Sequence, residues 1–151
     1  MSLPLDVALR QCERHVSIMK DAMHEMPELL TTELLGQPVP GLTRVLDQFV
    51  LRFTKLQDTM GTHVLRQFAA QVLAEQVEDV AFIEVLGLLE RHGYLTMRDW
   101  ALQRVTRNAL THEYPEDAER QAMALSAARE CAYQLIEWLT KIQKRTNAQT
   151  L

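Results

Sequence analysis

Cysteine is scarce in this chain: Cys12 and Cys131 are the only two among 151 residues. Two thiols so far apart in sequence cannot form the dense framework that staples a small secreted domain. They read instead as buried, reduced thiols of a cytoplasmic protein. Long apolar runs are missing too, and none approaches the roughly 18 residues that a membrane span needs. The opening MSLPLDVALRQCERH acquires charge too soon for a secretion signal. The expectation is therefore a cytoplasmic protein with no membrane partner. Alternating strands bounded by hairpin turns are absent, as are a glycine-rich phosphate loop, a nucleophile elbow and any internal repeat. HEMPE at His24 lacks the second histidine of a zinc-protease helix. No His, Cys and acid cluster has ligand spacing, so neither metal nor cofactor is implied.

What is present is helical periodicity. Hydrophobic residues make up 47% and charged ones 24%, a globular balance long enough for one cored domain over residues 1–151. Leu5, Leu9, Cys12, Val16, Met19, Met23 and Met26 alternate at spacings of four and three, an apolar stripe that should end at Pro27. TELLGQPVPG, with Gly36, Pro38, Pro40 and Gly41, is the one dense turn cluster and the clearest loop. A second stripe follows through Leu42, Val45, Phe49, Phe53, Leu56 and Met60, with Gly61 placed to kink or interrupt the helix. A third helix is expected from about Val77 to Arg91, with Gly93 at its C-cap. The fourth opens at Thr96, with Asp99 three residues on as an acidic capping box, and turns Leu102, Val105 and Ala109 inward before Tyr114-Pro115. The fifth is long, with Ala118, Ala122, Leu125, Ala132, Leu135, Leu139 and Ile142 inside and a fraying tail KRTNAQTL. Together these predict an all-α fold, a four- to five-helix bundle that is mostly antiparallel because its connections are short. The seven methionines read as core filler. Generous apolar stripes also leave room for a helix-to-helix dimer.

Asp and Glu outnumber Lys and Arg by 20 to 16, a net charge of −4, which excludes a globally basic nucleic-acid binder. Charge is unevenly spread, however. Between Arg91 and His112, four arginines (Arg91, Arg98, Arg104, Arg107) face the single acid Asp99, a local +3 that suggests an anion site, with phosphate a candidate. At about 100° per residue, Arg104, Asn108 and His112 share one ridge of the fourth helix, and Arg107, Thr111 and Tyr114 the next. An imidazole within reach of guanidiniums suits proton transfer at a phosphodiester, where arginine also stabilises developing oxyanion charge.

Arg107-Asn108, His112 and Tyr114 follow the pattern R-x4-H-x-Y. Together with LLERHGYLTMRDW and RNALTHEYP in an all-helical order, this resembles the HEPN-domain toxins encoded beside minimal nucleotidyltransferase (MNT) antitoxins, over residues 40–145. The resemblance implies a HEPN-like bundle and a metal-independent endoribonuclease toxin, acting as a homodimer on RNA. Arg107 would hold the scissile phosphate, His112 would serve as general base or acid while the ribose 2′-hydroxyl attacks, Asn108 would position them, and Arg104 would add an RNA contact. Tyr114 would be where the cognate nucleotidyltransferase attaches AMP. Arg107 and His112 lie about 140° apart around an ideal helix and roughly 7.5 Å along it, so a twofold axis is expected to bring the motif copies together. The alternative is a non-catalytic partner or substrate-binding subunit of a nucleotidyltransferase.

Overall fold

The computed structural model describes residues 3–112 and 117–149. These form helices α1 (Leu5–Glu25), α2 (Thr32–Gly36), α3 (Leu42–Thr59), α4 (Leu65–Gln71), α5 (Phe82–Arg91), α6 (Met97–Thr111) and α7 (Ala118–Gln149), with no strand among the described residues. The fold is all-α. A π-helical turn, Met60–Val64, joins α3 to α4 as one continuous helical rod. It falls at Gly61, where a kink was expected, and a neighbouring ring gives the reason. A Cβ on Gly61 would stand 3.0 Å from Trp100 Cζ2, so only glycine lets α6 approach this closely.

Contacts between chain-distant residues fix the helix directions. The Leu3 amide donates to His63 Nδ1 and His15 meets Arg52, so α1 runs antiparallel to the α3–α4 rod. Gln57 meets Gln103, while Ala109 and Leu110 at the far end of α6 share a groove with Leu46 and Thr54, so α6 is antiparallel to α3. Gln143 donates to Glu13, and Thr146 shares a depression with Leu5, which sets α7 antiparallel to α1. The core between these helices holds Met19, Phe49, Phe53, Leu56, Phe68 and Leu135, all fully buried. Burying each such side chain contributes roughly 1.5–3 kcal/mol before conformational entropy is subtracted. Trp100 lies between Phe82 and Trp138, at centroid distances of 6.1 and 6.3 Å, and pins α6 against α5 and α7.

Several local expectations hold. α1 stops at Glu25 and Met26 turns extended before Pro27. Gly93 adopts φ +82° after α5, and Thr96 Oγ1 accepts from the Asp99 amide at 3.0 Å. Cys12 is buried, its thiol pushed up to about 12 by desolvation, and Cys131 is half-buried and raised by the same cause; both are free.

Four expectations need correcting. The turn cluster contains the short α2, capped by Thr31 Oγ1 on the Leu34 amide. The third helix starts at Phe82 rather than near Val77, because 72–81 is held as a turn, with Ala74 and Asp79 at positive φ and the Val77 carbonyl taken by Arg66 Nη1 at 2.7 Å. The tail is helical to Gln149, whose amide reaches the Gln71 carbonyl at 3.3 Å. The largest correction concerns α6. Leu102 and Val105 do not face inward: they are 52% and 65% exposed, while Trp100 and Gln103 are buried. Ala109 is only half-buried. The helix is turned so that part of its polar side enters the bundle.

A candidate functional site along the α3–α6 seam

A chain of amides explains that turn. Gln57 occupies a core position, four residues after Phe53 and three before Met60, and is fully buried. Its Nε2 donates to the Gln103 carbonyl at 2.8 Å and to Gln103 Oε1 at 3.2 Å. Gln103, also fully buried, donates through Nε2 to the Cys131 carbonyl and to Gln134 Oε1, both at 2.9 Å. Each amide thus has its donors and its acceptor engaged, which is the condition under which buried polar groups are tolerated. With Gln103 locked inward, positions 104 and 107 come to the α3 seam and positions 102 and 105 turn outward.

Asp58 waits at that seam. Arg107 Nη2 donates to Asp58 Oδ2 at 2.9 Å, and Arg104 Nη1 donates to Asp58 Oδ1 and to Gln57 Oε1, both at 3.2 Å. The Arg107 side chain is 23% exposed, against 43% for Arg104, and its Nε is buried without a hydrogen-bond partner. One carboxylate therefore offsets half the charge of two guanidiniums and holds both in place. The expected ridges are broken up accordingly, since Arg104 and Arg107 meet on one carboxylate. Asn108 is exposed, its carbonyl accepting from Thr111 Oγ1 at 2.7 Å.

His112 closes α6 as its C-cap, with φ −84° and ψ 127° and its amide directed at the Ala109 carbonyl, 3.4 Å away. Its exposed ring lines an open groove of about 700 Å³ with Leu46, Asp47, Leu51 and Thr54 of α3 and Gln121 of α7. Arg107 and Asp58 do not line that groove. Within one chain the structure therefore brings Arg104 and Arg107 together on Asp58 but does not unite them with His112. Tyr114 lies outside the described residues. Among the described residues there is no group of three or more His, Cys, Asp or Glu able to hold a metal, and no helix long and apolar enough to cross a membrane.

The chain matches no family model, no curated protein and no solved structure.

Sequence reasoning missed Asp58, Gln57 and Gln103. The one signal for Gln57 was a polar residue beside Leu56 on the apolar side of the second stripe, four residues after Phe53 and three before Met60; Asp58 and Gln103 carried none. Chemically, the seam offers a fixed guanidinium whose remaining N–H donors suit an oxyanion, and the neighbouring groove an imidazole at the C-terminal end of α6.

Proposed function

We propose that the chain is a metal-independent, HEPN-type endoribonuclease toxin that works as a homodimer, neutralised by a nucleotidyltransferase that attaches AMP to Tyr114. The observation that carries this reading is the outward face of α6. Leu102 and Val105 are exposed on the helix that bears the motif, and Val105 and His112, seven residues apart, fall within about 20° of one line on an ideal helix. A second copy seated over Leu102 and Val105 covers apolar surface and brings two His112 rings to one cleft. One imidazole then takes the ribose 2′-proton as the 2′-oxygen bonds to phosphorus. The other protonates the departing 5′-oxygen as its bond to phosphorus breaks, leaving a 2′,3′-cyclic phosphate. Arg107, oriented by Asp58, stabilises the phosphoryl oxygens, with Asn108 beside it and Arg104 on the flanking backbone. AMP on Tyr114 would add a phosphodiester two residues from His112 and exclude the RNA backbone by charge and bulk.

A second reading has its own support. Asp58 halves the local charge of Arg104 and Arg107, and Arg107 does not line the His112 groove. Both favour a non-catalytic partner of a nucleotidyltransferase. The deciding experiment incubates purified protein with single-stranded RNA in excess EDTA. Cleavage to cyclic-phosphate ends, lost in Arg107→Ala and His112→Ala, supports the nuclease. An inert wild type that still binds a nucleotidyltransferase supports the alternative.

A further inference from the structure

Beyond the seam, a second cationic surface crosses α1 and α3. Gln11, Arg14 and His15 occupy one side of α1, spaced i, i+3, i+4. Arg52, Lys55 and Thr59 face them from α3, around an open depression of about 500 Å³ that Asp58 also borders. Among the described residues no carboxylate lies within ion-pair reach of Arg14, Arg52 or Lys55. The one acid at the rim, Asp58, is already engaged by Arg104 and Arg107. Across α1, α3 and α6, five cations thus share one carboxylate, in a chain whose net charge is −4. Packing like charges together opposes folding, and this chain has acids to spare that it places elsewhere.

Two details show that the cluster is short of anions. Arg52 Nη1 lies 3.1 Å from His15 Nδ1. A guanidinium can only donate, so Nδ1 accepts, and the ring is neutral with its proton on Nε2. Arg52 has thus taken an imidazole nitrogen in place of a carboxylate, while its Nε is buried with no partner at all.

We infer that the depression between α1 and α3 is a phosphate-binding site, in which Arg14, Arg52 and Lys55 hold the oxygens of a phosphate group and His15 joins them when protonated. The site does not depend on the proposed cleavage reaction. The groups facing His15 are Arg14 from α1 and Arg52 and Lys55 from α3, with Asp58 at the rim beside Arg104 and Arg107 of α6. Burial and those three cations hold the imidazole below its ordinary titration range. A bound anion offsets the repulsion from those cations, so binding takes up a proton. Protonation also occupies Nδ1 and releases Arg52 towards the ligand.

The shared chemistry, a phosphate oxyanion, has two sources, a nucleic-acid backbone and free phosphate. The test uses one probe for each: a single-stranded oligodeoxynucleotide without terminal phosphate, which cannot be cut by 2′-attack, and inorganic phosphate. Arg14 and Lys55 are exposed, so Arg14→Gln and Lys55→Gln should fold normally. Each should weaken binding roughly threefold, and for the oligonucleotide each should reduce the log–log salt slope by about one. Oligonucleotide affinity should rise from pH 7.5 to pH 6, and this rise should vanish in His15→Gln. Binding of the oligonucleotide identifies a backbone site, and binding of inorganic phosphate alone a free-phosphate site. Binding of neither probe, or affinities indifferent to Arg14→Gln and Lys55→Gln, would overturn the inference. A protein that binds the oligonucleotide but never cleaves RNA leaves this site standing and removes only the proposed reaction.

Discussion

Arg107 Nη2 donates to Asp58 Oδ2 at 2.9 Å, and Arg104 holds the other oxygen of the same carboxylate at 3.2 Å. The residue with most control over the candidate site is thus on α3, not in the motif. Asp58→Asn removes the charge while keeping the shape. Because all three side chains are partly exposed, the loss of stability should be only about 1 kcal/mol. Affinity for single-stranded RNA should rise by a few-fold as the local charge grows, while cleavage falls because Arg107 loses its orientation. Paired binding and single-turnover assays check this, and a variant that cleaves faster than wild type would show that Asp58 restrains Arg107 rather than positions it.

Arg107→Ala and His112→Ala should both abolish RNA cleavage, with small structural costs. Arg107 has a partner and a half-buried stem, so its removal should cost about 1 kcal/mol. His112 has an exposed ring at the C-terminal end of α6, so its removal leaves no core cavity and should cost about 1 kcal/mol at most. Thermal melts alongside activity separate the two effects. A His112→Ala protein that melts far below wild type would mark the residue as structural.

The dimer prediction rests on Leu102 and Val105. Light scattering should give about twice the 17.4 kDa of one chain, and Leu102→Glu with Val105→Glu should yield a folded monomer. A charge placed in a buried apolar interface costs several kcal/mol, enough to dissociate an interface of modest size. Dimerisation that survives both substitutions would place the interface on another face.

Gly61→Ala should destabilise. The new methyl would stand 3.0 Å from Trp100 Cζ2, and Trp100 is 5% exposed with rings on both sides. Overpacking costs about 1–3 kcal/mol, against up to about 1 kcal/mol gained in helix propensity. A net loss near 1 kcal/mol lowers the melting temperature by about 2–4 °C. Scanning calorimetry showing an unchanged or higher melting temperature would mean that the π turn relaxes to accept the methyl.

His15 should make stability pH-dependent. Its folded-state pKa is lowered, by burial first and then by Arg52, Lys55 and Arg14, so the native state binds the proton less readily than the unfolded chain does. The contribution is fully present above the unfolded value near 6.5 and is lost as pH falls below it. The melting temperature should therefore drop between pH 7.5 and 5.5, and drop less in His15→Gln, which keeps an acceptor for Arg52. Equal drops in both proteins would assign the effect to other groups.

The all-helical fold and most of its apolar stripes follow from the order of the residues. Leu5 to Met23 on α1 and Leu42 to Leu56 on α3 carry apolar residues at the helical period, and their burial follows that period. The cap at Thr96, the glycine at Gly93 and the stop before Pro27 were legible because one or two adjacent residues decide each of them. The orientation of α6 was not. Its apolar residues, Leu102 and Val105, read as a core face, yet the helix buries Gln103 and Trp100 instead. That choice depends on Gln57, Asp58, Cys131 and Gln134, residues on two other helices that satisfy an amide and pair two guanidiniums. No property of residues 97–111 taken alone contains those partners. The arginines and the imidazole of the candidate site were legible as residue types at a spacing, whereas Asp58 was not. Which of them meet, Arg104 with Arg107 on Asp58 and His112 apart on its groove, was decided only when α3 packed against α6, because a polar side chain inside a bundle goes where its hydrogen bonds can be completed.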